Sequence, residues 1–162
     1  MAEGLIRVVR DPRISVPLRL VVGAAFVWAG LGKIADPVSF SDAIVNYRLV
    51  PAWMITPMAA TLPALEIVAG ACLIVGLFAR GAALVASGLL GVFTVAIVQA
   101  IVRGINVDCG CFGAGSEAAA GIGWREVVRD LALLAAAAHV VVYDRGILSV
   151  ERLRHRLERS SS

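Results

Sequence analysis

Two cysteines separated by a single glycine carry the most distinctive chemistry in this sequence. Cys109 and Cys111 can close on each other only through a small ring, and the glycine between them accepts the backbone angles that such a ring needs. A disulfide of this kind is strained, closes almost no loop and gains little chain entropy. Because strained disulfides exchange readily with other thiols, the pair favours thiol–disulfide redox chemistry over structural cross-linking.

Three other interpretations of Cys109 and Cys111 stay open. The two thiols could remain free at an interface, form bridges with another protein, or supply two ligands to a soft metal. A closed zinc site takes four ligands, and the surrounding connection holds neither a histidine nor a third cysteine, so we predict no metal site. Cys72 lies deep in an apolar segment, too far away to reach the pair, and we expect a small buried hydrophobic side chain there.

Glu66, a carboxylate within an apolar segment, is the second feature. Such a group is costly in a membrane and usually faces the protein interior or a polar cavity. Lys33 and Gln99 lie near the ends of neighbouring segments, and a polar cluster could open toward Cys109 and Cys111. It would handle protons for thiol chemistry, with Glu66 as the proton-carrying group, or contact a quinone head group through Lys33 and Gln99. The alternative is a buried hydrogen bond that fixes helix packing.

The segments that hold these residues indicate an integral membrane protein. Only 17% of the residues are charged and 59% are hydrophobic, whereas a soluble domain has roughly a quarter of its residues charged. The last apolar segment is the shortest, because Arg129 and Asp130 must lie in its outer turns. Four membrane crossings are predicted, at residues 18–35, 57–78, 81–102 and 124–143.

A short additional helix is predicted between the first two crossings, lying on the membrane interface between Pro37 and Pro51. Its apolar side chains recur near helical spacing: Val38, Phe40, Ala43, Ile44 and Tyr47. The predicted fold is therefore all-α, a four-helix membrane bundle over residues 18–143. Residues 1–17 form an N-terminal tail and residues 144–162 an amphipathic, basic C-terminal tail.

The distribution of basic residues predicts the orientation. Of the 15 lysines and arginines, ten lie in or beside the two tails and the turn at 78–80, and five lie toward the other side. The positive-inside rule then predicts a multi-pass plasma-membrane protein with both termini cytoplasmic and the Cys-Gly-Cys connection extracytoplasmic. Because these charges act as topology signals, we expect no nucleic-acid partner. No cleavable signal peptide is evident, so the first segment should remain as an anchor.

Four stretches of the sequence resemble one family. They read GLGKIADP at 30–37, LPALE at 62–66, GLFAR at 76–80 and DCGCFG at 108–113. Together they are similar to the DoxX-like membrane proteins and, within them, to the methylamine-utilisation MauE branch. The resemblance covers residues 18–143, and the Cys-Gly-Cys-Phe-Gly stretch is its most specific part.

This resemblance implies a four-helix membrane bundle that acts in the redox maturation of exported proteins, notably disulfide formation in methylamine dehydrogenase. It implies that Cys109 and Cys111 are the thiol motif and that Glu66 is the membrane glutamate. Partners would be an exported protein or a thioredoxin-fold helper. By analogy of architecture with other disulfide-generating membrane proteins, the electrons would pass to a quinone. Whether methylamine metabolism is involved stays open at this point.

Functions of different classes remain open at this point. The chain could be a thiol–disulfide oxidoreductase, or a non-enzymatic scaffold or assembly subunit of a larger membrane complex in which the cysteines are incidental. A small-molecule carrier that uses Glu66 is disfavoured, because the chain shows no inverted repeat and no obviously broken helix.

Overall fold

The computed structural model describes residues 14–104 and 124–144, and every regular element in these two ranges is an α-helix, which confirms the all-α prediction. Both tails and the segment 105–123, with Cys109 and Cys111, lie outside the described residues. The helices are α1 Ser15–Ala35, α2 Pro37–Tyr47, α3 Ala52–Val75, α4 Ala79–Val102 and α5 Trp124–Tyr143.

Three of these helices, α1, α3 and α4, are long and apolar enough to cross a membrane. Their outer surfaces carry large apolar side chains, such as Trp28 at 69% exposure and Val92 at 67%. A surface of this composition suits lipid rather than water, so this is a membrane protein. The first turns of α5 carry several charges, and α5 lies outside this group of three. That α5 completes a bundle of four crossings stays a prediction.

Helix α3 begins at Ala52 and ends at Val75, so it differs at both ends from the crossing predicted at 57–78. Pro51 precedes it in an extended conformation, and a proline fixes φ at a value that suits the start of a helix. At the other end Gly76 adopts the left-handed conformation, with φ of 78°. The N–H groups of Gly76 and Leu77 both donate to the carbonyl of Cys72, which terminates the helix.

The short helix predicted after the first crossing is confirmed as α2. Asp36 caps its N-terminus, accepting hydrogen bonds from the Ser39 backbone N–H at 3.1 Å and the Ser39 hydroxyl at 2.7 Å. Both hydrogen bonds lower the pKa of Asp36 from its usual value, and the one from the Ser39 hydroxyl has the larger effect. Helix α2 buries Phe40 and Ile44 and packs on α3 and α1.

Helices α1 and α3 make the most extensive contact in the described part of the chain, and glycines permit it. A Cβ atom added to Gly70 would lie 2.7 Å from the carbonyl oxygen of Gly23. A Cβ atom added to Gly30 would lie 2.9 Å from the carbonyl oxygen of Pro63. Small residues at such positions let two helix backbones approach closely. The second extensive contact joins α4 and α5.

The apolar core lies between α1, α3, α4 and α5, toward the end where α3 passes into α4. It is built around Val22, Leu73, Ala83 and Val140, and the half-buried Cys72 packs against it. Cys72 is a free thiol. Its surroundings agree with the expectation of a small hydrophobic side chain.

A buried ion pair closes this end of the protein. Arg19 of α1 and Asp144, which follows α5, approach to 3.5 Å, with side chains 3% and 4% exposed. The Arg80 Nε donates to the Asp144 carbonyl at 2.8 Å. The Arg19 guanidinium also lies against Gly76, where a Cβ would be 2.7 Å from Arg19 Nη1. These contacts tie the ends of all four long helices together.

Candidate functional site

The opposite end of the protein contains a buried ion pair between Lys33 and Glu66. The Lys33 Nζ donates to Glu66 Oε1 at 2.5 Å and to Oε2 at 2.7 Å. The two side chains are 1% and 4% exposed. Charge-assisted hydrogen bonds of this length are strong, and they must be, because removing two charges from water costs several kcal/mol per ion. The ammonium group thus compensates the carboxylate that the sequence placed inside the membrane.

Two aromatic rings flank the same ammonium group. The Lys33 Nζ lies 5.4 Å from the centroid of Phe40 on α2 and 4.9 Å from the centroid of Phe93 on α4. At these distances the face of each ring attracts the cation. Helix α2 therefore covers the Lys33 ammonium group with Phe40, and the opposite side of α2 is exposed.

Asp130 of α5 is a third buried charged side chain toward this end of the protein. Its side chain is 4% exposed, and it accepts hydrogen bonds from Nε and Nη2 of Arg129, both at 3.2 Å. It also interacts electrostatically with Lys33 and with Glu126. Among the described helices, Lys33 thus contacts side chains of α2, α3 and α4 and interacts electrostatically with Asp130 of α5.

Local sequence explains part of this arrangement. Lys33 lies in the last turn of α1, where the helix dipole favours a positive charge. Gly30, three residues earlier on the same face, rests against Pro63 and Ile67, which flank Glu66 on α3. The close contact at Gly30 therefore brings Lys33 and Glu66 together.

The structure places the predicted site residues of the described ranges in different surroundings. Lys33 and Glu66 do meet, as the predicted polar cluster requires. Gln99 is exposed on α4, and no hydrogen bond joins it to Lys33 in the described part of the chain. Asp130 is not among the predicted site residues, because a salt bridge with its neighbours at helical spacing is the simpler interpretation of its charge, and the structure does pair it with Arg129. The argument applied to Glu66, a carboxylate in an apolar helix, would have found it.

The cluster lies at the end of the protein from which residues 105–123 depart. Lys33 lies at the end of α1, Phe93 in the second half of α4 and Asp130 in the first half of α5. Because α4 ends and α5 begins here, the chain that carries Cys109 and Cys111 leaves and returns on this side. Whether either sulfur reaches the cluster stays a prediction.

Comparison with known proteins identifies the family. The family model described as "Methylamine utilisation protein MauE" matches residues 11–143, which include all five helices and the buried cluster. This chain belongs to the MauE family. The resemblance to MauE noted in the sequence is thus confirmed, whereas the wider placement among DoxX-like proteins stays a prediction.

Curated MauE relatives agree with this assignment. The methylamine utilization protein MauE of Paracoccus denitrificans is 33% identical over 138 residues, covering 85% of this chain and 71% of the relative. The Paracoccus versutus protein of the same name is 36% identical over 132 residues, with 81% and 70% covered. The Methylophilus methylotrophus protein is 32% identical over 133 residues, with 82% and 70% covered. No solved structure matches this chain.

Proposed function

We propose that this MauE-family protein is a membrane thiol–disulfide redox protein that supports disulfide formation in exported proteins through Cys109 and Cys111. The observation that carries the proposal is the buried Lys33–Glu66 pair, on the side from which the Cys-Gly-Cys segment departs. Oxidation of thiols releases protons, and a buried carboxylate in this position can accept them. The relatives are named for methylamine utilisation, and we extend that setting to this chain.

The proposed reaction has two balanced steps. A thiolate of the exported partner attacks the Cys109–Cys111 disulfide, a mixed disulfide forms, and the partner's second thiolate resolves it. The partner is released with a disulfide, and Cys109 and Cys111 are left as two thiols. A membrane quinone then takes two electrons and two protons from these thiols, which restores the disulfide and yields the quinol. The partner is an exported dithiol protein or a thioredoxin-fold helper.

The buried cluster has two proposed roles in the second step. Glu66 carries protons between the thiols and the quinone. The Lys33 ammonium group and the Gln99 amide are proposed contacts of the quinone head group. Because Gln99 is exposed on α4, a quinone dissolved in the bilayer would meet it first.

The proposed topology places this chemistry outside the cytoplasm. Helices α1, α3, α4 and α5 would cross the plasma membrane as one bundle, with both termini cytoplasmic. A membrane-impermeant thiol reagent applied to intact cells should label Cys109 and Cys111 only after reduction. Labelling that requires permeabilised cells would contradict this orientation.

The reaction itself is tested by cysteine substitution. Cys109→Ser, Cys111→Ser and the double variant should each stop oxidation of an exported dithiol partner, followed by alkylation and gel shift. In proteoliposomes containing a quinone they should also stop quinol formation, whereas the matched control Cys72→Ala should retain both activities. Normal partner oxidation in the double variant would refute the redox proposal. A stable membrane complex that survives loss of both cysteines would favour the scaffold alternative instead.

A further inference from the structure

We infer that a quinone reaches the Lys33 ammonium group by displacing the Phe93 ring, so that Phe93 regulates how tightly the quinone binds. The inference rests on the proposed function, and it names the side chain that controls access to the proposed quinone contact. It concerns binding alone, which does not require the cysteines. It can therefore be tested apart from the redox reaction.

The Lys33 ammonium group has no open side in the described part of the chain. Its side chain is 1% exposed. The Nζ atom donates to both carboxylate oxygens of Glu66, at 2.5 and 2.7 Å, and interacts electrostatically with Asp130. The ring centroids of Phe93 and Phe40 lie 4.9 and 5.4 Å from the same atom. A quinone carbonyl oxygen can therefore accept a hydrogen bond from Lys33 only if one of these neighbours moves away.

Phe93 is the neighbour that can be displaced. Departure of Glu66 would leave two buried charges without compensation, which is strongly unfavourable. Phe40 is 4% exposed and belongs to α2, which packs on both α1 and α3. Phe93, in contrast, is only half-buried. Its ring already reaches the surface of the protein, so it can turn outward without opening the core.

Phe93 also lies on a helix that faces the bilayer. Helix α4 is long and apolar enough to cross a membrane. Beside Phe93, Val92 is 67% exposed and Val95 is 58% exposed, which suits contact with lipid. Gln99, the other proposed quinone contact, is exposed on the same helix. A quinone that arrives from the bilayer along α4 therefore meets Phe93 before it meets the buried ammonium group.

The exchange of Phe93 for a quinone carbonyl improves the surroundings of the ammonium group. The face of a phenyl ring attracts a cation through its quadrupole. A carbonyl oxygen accepts a charge-assisted hydrogen bond from the same cation, which is the stronger interaction. The ion pair with Glu66 is kept in both states. Because the contact with Phe93 is lost when the quinone binds, a weaker contact at this position should give tighter binding.

Competition between a photoreactive azidoquinone and decylubiquinone tests this inference, in lipid nanodiscs and in the Cys109→Ser/Cys111→Ser background. Phe93→Leu keeps an apolar side chain but removes the aromatic face. It should tighten decylubiquinone binding by about 2- to 30-fold, the range that one cation–π contact represents. Phe93→Trp offers a stronger aromatic face and more bulk, so it should weaken binding. Phe40→Leu is the matched control, because the Phe40 contact is present in both states, and its affinity should stay within about twofold of the parent.

The opposite signs of the two Phe93 substitutions distinguish displacement from a structural role. A ring that only supports packing would weaken binding in both variants. Unchanged or weaker binding in F93L, tighter binding in F93W, or an equal gain in F40L would overturn the inference, as would absence of decylubiquinone binding in the parent protein. Because this background lacks both cysteines, the result does not depend on whether they carry out the proposed redox reaction, which the cysteine variants test by themselves.

Discussion

Substitution of Gly30 by alanine tests the close contact between α1 and α3, because its packing cost can be distinguished from the gain in helix propensity. A Cβ atom there would lie 2.9 Å from the Pro63 carbonyl oxygen, about 0.5 Å short of the 3.4 Å at which ordinary van der Waals contact begins. It would also lie 2.7 Å from Ile67 Cγ1. Because the Pro63 oxygen belongs to the backbone, α1 and α3 must separate, and overpacking of this kind costs about 1–3 kcal/mol.

Gly88 on α4 offers the matched control, since a Cβ atom added there meets nothing within 4 Å. Alanine in a helix interior is favoured over glycine by about 0.5–1 kcal/mol, and both substitutions gain this term equally. Gly30→Ala should therefore be less stable than Gly88→Ala by about 1–3 kcal/mol. Unfolding in mixed detergent micelles, followed by circular dichroism, measures the difference.

The same displacement should reach the ion pair. The Lys33–Glu66 hydrogen bonds of 2.5 and 2.7 Å adjoin the Gly30 contact and would lengthen as the two helices separate. We therefore expect slower partner oxidation in Gly30→Ala than in Gly88→Ala. If Gly30→Ala proves as stable as Gly88→Ala, the close contact does not determine how α1 and α3 pack, and the reasoning fails.

Three further substitutions probe other parts of the structure. Arg19→Met should lower the free energy of unfolding by about 3–5 kcal/mol, because Asp144 loses a buried ion-pair partner; a thermal melt equal to wild type would contradict this. Asp36→Ala should speed hydrogen exchange at the Ser39 amide. Because the folded-state pKa of Asp36 is lowered, the cap stabilises the helix fully above about pH 4 and is lost as the pH falls through the lowered pKa. An Asp36→Ala effect on exchange that does not diminish at low pH would argue against this cap. Cys72→Ala should cost about 1 kcal/mol of stability and leave partner oxidation unchanged, whereas loss of oxidation would assign Cys72 a redox role.

Local sequence patterns were sufficient to predict the class of protein and several of its helices. Low charge and long apolar segments predicted a membrane protein, because no tertiary contact is needed to decide that such surfaces avoid water. Helical spacing between Pro37 and Pro51 predicted α2, and the core packing of Cys72 followed from its apolar surroundings. The ends of α3 were less well predicted, because hydropathy does not show where a proline starts a helix or where Gly76 ends it.

Only the tertiary structure decided which polar side chains meet. Lys33 and Glu66 lie 33 residues apart, and their hydrogen bonds depend on how far α1 and α3 are rotated about their axes. The glycine contacts hold the two helices at the close approach at which this pair forms. Gln99, equally polar in the sequence, faces outward on α4. Composition establishes that a buried charge needs a partner, but the choice of partner is made by side-chain packing across helices distant in sequence.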